Sequence, residues 1–148
     1  MPEDELVEVA CEQPAIHRFP ASMARRIQAL CGALVNDWDG SAAAIWDDAP
    51  DGRTLLRRLR SLPSFGPEKS KIFVALLAKR FGVRPDGCEA AAGVFADDEP
   101  RTVADCSGPE GLAAVRAWKS AQKAAGKDKQ DRPLTDGVRP PESARPPR

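Results

Sequence analysis

Apolar residues along this chain recur mostly at intervals of three and four, the spacing of a helix with one buried face. Leu6, Val7 and Val9 share one side of a short segment from Pro2 to Glu12, and its acidic first turn suits a helix start. Gln13 to Pro20 reads as a loop bounded by prolines. From Ser22 to Trp38 the positions Met23, Ile27, Leu30, Cys31, Leu34, Val35 and Trp38 keep the helical period, with Ser22 as N-cap. Ser41 caps a shorter helix through Asp47 that buries Ile45 and Trp46. Asp51-Gly52 opens a segment with Leu55, Leu56, Leu59 and Leu62 inward and Arg53, Arg57, Arg58 and Arg60 outward. Pro67 starts the strongest helix, with Ile72, Phe73, Leu76, Leu77 and Phe81 inside and Gly82 as its stop. Residues 83–107 carry Pro85, Gly87, Gly93 and Pro100 as punctuation and read as loop. Ser107 and Pro109 mark a last helix, with Leu112, Val115 and Trp118 on its inner face to about Ala125.

Composition sharpens this into a fold class. Ala, Leu and Arg abound while Val, Ile and Tyr are scarce, which favours an all-α domain over a sheet. At 148 residues the chain can hold one modest domain, here expected over 1–125. Lys127 to Arg148 has five prolines and only Leu134, Val138 and Ala144 as apolar side chains. Such a stretch cannot bury enough surface to offset its ordering entropy, so residues 126–148 are expected to be disordered.

Four cysteines, Cys11, Cys31, Cys88 and Cys106, lie far apart with no C-x-x-C pair, which argues for reduced, unreactive thiols and against a metal or cluster site. No cofactor is implied. The acidic N-terminus has no apolar signal core and no run reaches membrane-spanning length, so a cytoplasmic protein is the expectation.

Formal net charge is zero, yet charge is segregated. From Arg53 to Arg84 nine basic residues (Arg53, Arg57, Arg58, Arg60, Lys69, Lys71, Lys79, Arg80, Arg84) stand against one acid, Glu68. In the middle of that stretch lies Leu62-Pro63-Ser64-Phe65-Gly66-Pro67-Glu68-Lys69-Ser70, a tight turn joining two basic amphipathic segments. A glycine followed by a proline in the first helical turn leaves backbone N–H groups free at the positive end of the helix dipole. That arrangement suits a phosphodiester. Contacts of this kind fix position on nucleic acid without reading its sequence. Phe65, at the apex, is a packing anchor between the two helices. The single His17 sits in a loop beside Arg18, in a surface or capping role. Trp38, Trp46 and Trp118 fall on inward stripes, and Lys119, Lys123, Lys127 and Lys129 form a solvated basic face.

This turn, the helix after it and the loop Phe81-Gly82-Val83-Arg84-Pro85-Asp86 resemble the HhH-GPD superfamily of base-excision DNA repair glycosylases. The segment His17-Arg18-Phe19-Pro20-Ala21-Ser22-Met23-Ala24 is similar to that of an actinobacterial HhH-GPD-type branch, and the resemblance runs from about Cys11 to Ala125. It implies an all-helical helix-hairpin-helix fold, double-stranded DNA as partner, and a damaged base flipped into a pocket. On the family pattern, backbone contacts fall to Ser64, Phe65, Gly66, Glu68, Lys69 and Lys71, aided by Arg57 and Arg60. The family's catalytic aspartate falls on Asp86, where a carboxylate stabilises a cationic sugar or orients a water.

The chain departs from the pattern in four places. Ser64 stands where the family has its first hairpin glycine, and a left-handed serine costs on the order of 1 kcal/mol. Glu68 stands where bifunctional members carry a nucleophilic lysine. Lys69 is one residue on, turned by about 100°, which argues against a lysine-driven lyase. The four-cysteine loop that holds an iron–sulfur cluster in some members is absent. Relatives also carry helices ahead of the point where this sequence opens, so the resemblance implies an architecture short at its N-terminus with apolar faces of 23–38 and 72–81 exposed. Three readings stand: a monofunctional glycosylase hydrolysing an N-glycosidic bond, a non-catalytic DNA-binding module that has lost the base pocket, or a helical interaction domain with no nucleic-acid role.

Overall fold

The computed structural model describes residues 1–134. Among them are six α helices, three 3-10 turns and no strand. The helices are α1 (Glu3–Cys11), α2 (Pro20–Trp38), α3 (Gly52–Ser61), α4 (Pro67–Arg80), α5 (Cys88–Ala92) and α6 (Pro109–Ala124). The 3-10 turns cover Ala43–Ile45, Gly93–Ala96 and Val103–Asp105. The all-helical class expected from composition is the class the chain adopts.

Helix boundaries follow local chemistry. The Asp51 carboxylate accepts the Thr54 amide at 2.6 Å, the N-cap bond that starts α3. α4 starts on Pro67, whose missing N–H falls where no helical bond is needed. It ends with Gly82 at φ 70° and the Val83 amide returned to the Leu77 carbonyl at 3.1 Å. α2 begins earlier than expected. Pro20 occupies its first turn and Phe19, not Ser22, is the N-cap residue.

The core lies between α3 and α4 and is closed by α5 and the 3-10 turns. Leu55, Leu59 and Val74 are fully buried, and Leu62, Ala75, Leu77, Cys88, Ala92, Phe95, Ala104 and Ile45 complete the cluster. Each fully buried large aliphatic side chain contributes roughly 1.5–3 kcal/mol of transfer free energy. α2 lends Leu30, Leu34 and Trp38 to the edge of this cluster. α1 rests on α2, and the two helices bury one residue each, Ala10 and Ala24. Ile27 (39 % exposed) and Val35 (64 %) remain open on α2.

Several expectations are corrected. Phe81 is 70 % exposed, because α4 stops at Arg80 and Phe81 turns outward as the C-cap. Arg58 points inward: its Nη1 donates to the Ile45 carbonyl (3.1 Å) and to Asp48 (2.5 Å), with the guanidinium over the Trp38 ring. Leu112 is exposed, leaving Val115 as the buried residue of α6.

The stretch read as loop, 83–107, folds into α5 and two 3-10 turns. Its bonds are polar rather than periodic. The Thr102 amide donates to Asp105 at 2.9 Å and its Oγ1 accepts the Ala104 amide at 3.2 Å. Lys79 of α4 then reaches Asp105 at 2.6 Å and the Asp97 carbonyl.

The tail expected from residue 126 is also bonded at its start. The Lys127 amide donates to the Gln122 carbonyl (2.9 Å), the Asp128 amide to Arg132 (2.8 Å) and the Leu134 amide to Gly126 (2.7 Å). Buried Arg101 fastens this loop. Its guanidinium holds Asp97 through two nitrogens, meets Asp131 at 2.7 Å and the Lys129 carbonyl at 3.2 Å, and stacks on Trp118. The remainder of the expected tail, 135–148, lies outside the described residues.

Candidate nucleic-acid interface

The turn of residues 62–66 connects the two best-packed helices, so its shape is imposed from both sides. Leu62 is buried below it. The Phe65 ring sits between the helices and meets Phe73 edge-on at 5.6 Å. Ser64 adopts the left-handed conformation, φ 65°, at the position where the resemblance places a glycine. Gly66 has φ −73°, and a Cβ added to it would meet nothing within 4 Å. The fold therefore does not need a glycine at 66.

Among the described residues, the amides of Ser64, Gly66, Glu68 and Lys69 have no acceptor. Ser70 is buried and satisfied, its Oγ donating to the Gly66 carbonyl at 3.0 Å. Lys69 bends back over the turn, with Nζ 2.8 Å from the Ser64 carbonyl and 5.4 Å from the Phe65 ring. Four unpaired donors and one ammonium thus gather on a surface turn, a grouping suited to an anion.

Arg53, Arg57 and Arg60 run along the outer side of α3 and, with Leu56 and Ser61, line an open groove of about 430 Å³. Arg53 and Leu56 also border a neighbouring cleft of about 490 Å³ whose other walls are Asp51, Lys71, Asp86, Gly87, Ala90 and Ala91. Lys71 thus belongs with Asp86 rather than with the turn. Glu68 offers its amide to the turn, while its carboxylate is engaged by Lys129 and Gln130 at 2.7 Å each.

Asp86 is placed by a close backbone approach. A Cβ on Gly52 would stand 2.6 Å from the Cys88 Cα and 2.7 Å from the Gly87 carbonyl. That contact lets the Gly52 amide donate to the Asp86 carbonyl at 2.8 Å. Asp51 and Asp86 come side by side on the cleft as a result. The Thr54 amide, and then its hydroxyl, hold the Asp51 carboxyl below its usual value, so Asp51 stays charged. The Asp86 side chain is exposed at the cleft mouth. In the sequence, Asp51-Gly52 reads as a helix opening and gives no sign of this packing.

His17 accepts the Phe19 amide on Nδ1 at 3.1 Å and does not line the cleft. The cysteines are free thiols, Cys11 and Cys31 exposed and Cys88 buried. No group of three His, Cys, Asp or Glu residues could hold a metal ion among the described residues. No helix among them is long and apolar enough to cross a membrane. Compared with known proteins, the chain matches no family model, no curated protein and no solved structure.

Proposed function

We propose that this chain binds double-stranded DNA through the backbone of the 62–66 turn, as a helix-hairpin-helix element of the HhH-GPD type. The observation that carries this reading is the set of four unpaired amides beside Lys69 on a turn where residue 66 needs no glycine for folding. Phosphate oxygens satisfy such donors, and the adjoining arginines of α3 extend the attraction along a strand. Binding of this kind is independent of base sequence.

A second reading, base excision of the glycosylase type, is supported by the cleft beside α3. Two carboxylates, Asp51 and Asp86, and two cations, Arg53 and Lys71, border a space of about 490 Å³. Asp86 is the group suited to meet a developing sugar cation or to orient a water, since Asp51 is committed to capping α3. The openness of the cleft and its small lining residues, Gly87, Ala90 and Ala91, favour the non-catalytic module over the enzyme. Duplex oligonucleotides bearing uracil, 8-oxoguanine, alkylated or abasic sites separate the two readings. Base release abolished by Asp86→Asn establishes the enzyme, whereas DNA retention with no release establishes the module.

A further inference from the structure

Glu68 is the only acid between Arg53 and Arg84, and it stands on the first turn of α4, beside Gly66 and Lys69. A carboxylate there opposes any polyanion that approaches the turn. The chain deals with it through a segment far away in sequence. Lys129 Nζ meets one carboxylate oxygen at 2.7 Å, and Gln130 Nε2 donates to the other at 2.7 Å. Both side chains come from the bonded loop 126–134. Its Asp131 and the Lys129 carbonyl are clamped by buried Arg101. Arg101 is in turn fixed by Asp97 and Trp118. The loop is thus anchored to the body of the domain independently of Glu68.

We propose that loop 126–134 is a working part of the DNA-binding surface, in which Lys129 and Gln130 act as positioning residues that neutralise Glu68 and hold its carboxylate away from the turn. The inference rests on the reading that the 62–66 turn meets DNA phosphates. It assigns Lys129 a role through Glu68, not a direct phosphate contact. A charged carboxylate released within a few ångströms of a phosphate costs about 1 kcal/mol even in water. Loss of the clamp therefore weakens binding by about fivefold at low salt, and by less as salt screens the repulsion.

The test is a double-mutant cycle read by fluorescence anisotropy of a labelled duplex, using the full chain. Lys129→Ala in the parent weakens binding about fivefold, and Gln130→Ala weakens it to a smaller extent. In a Glu68→Gln background, Lys129→Ala changes nothing, since no charge remains to be neutralised. Equal losses in both backgrounds overturn the proposal in favour of a direct Lys129–phosphate contact. No loss in the parent overturns it too, while leaving the DNA reading intact if Lys69→Ala still weakens binding. If the unaltered chain binds no duplex at low salt, the DNA reading and this inference fall together. Thermal unfolding of each variant checks that the fold is unchanged.

Discussion

The α1–α2 arm and the α3–turn–α4 unit are both helical hairpins, but they are built differently. In the second, Leu55, Leu59 and Val74 are completely buried, and α5 presses its backbone against Gly52. In the first, each helix buries a single alanine, and Val9, Ile27 and Val35 stay exposed. Burial is therefore concentrated in the two helices that flank the 62–66 turn, and on the proposed function, amides held in this way would lose little freedom on meeting DNA. The arm contributes cover rather than a core.

Substitutions in the two hairpins should differ accordingly. Gly52→Val drives a side chain into the backbone of residues 87–88, and we expect a loss of more than about 3 kcal/mol in urea unfolding, or no folded protein. Leu59→Ala should cost about 2–5 kcal/mol by leaving a cavity in the core. Ile27→Ala, on the arm, should stay under about 1 kcal/mol. A cost for Ile27→Ala equal to that for Leu59→Ala would erase the distinction between the hairpins.

A third region, the Arg101 clamp, responds to acid. The Arg101 guanidinium, through its hydrogen bonds, holds the Asp97 carboxyl below its ordinary value of 3.8. A depressed carboxylate contributes stability that is present above the unfolded value and lost as pH falls through the folded one. Below about pH 4, then, loop 126–134 should loosen before the α3–α4 core, giving tryptic cleavage at Lys127 and Lys129 while far-UV ellipticity is retained. Simultaneous loss of both signals would contradict the separation. The smallest effect expected is a gain. Ser64→Gly relieves the left-handed serine and should stabilise the chain by about 0.5–1 kcal/mol, seen as a higher Tm.

Period and punctuation made the long elements legible. Apolar spacing marks α2, α3, α4 and α6 closely, and Pro67 and Gly82 bracket α4 within a residue or two. What escaped is polar or non-local. The Val103–Asp105 turn is held by Thr102, Asp105 and Lys79, which no periodicity reports. Arg58 occupies an outward position by spacing, yet the carbonyls of the Ala43–Ile45 turn draw it inward. Loop 126–134 has too little apolar surface to be predicted as ordered; two ion pairs through one buried arginine fasten it instead. Of the candidate site, the turn and its lysine were visible in the sequence. The cleft was not, because Gly52 brings Asp86 to Asp51 across thirty-five residues of chain.

The central claim is tested most directly by the affinity for an undamaged DNA duplex as a function of salt, comparing the parent with Gly66→Val. For the parent, log affinity should fall linearly with log salt, with a slope of about −0.9 for each phosphate neutralised. Gly66→Val, whose side chain has open space in the folded chain, should keep the parent's thermal stability within about 1 kcal/mol and lose affinity for every sequence alike. An unchanged affinity in Gly66→Val, or a parent whose binding ignores salt, would contradict the assignment of this turn to DNA.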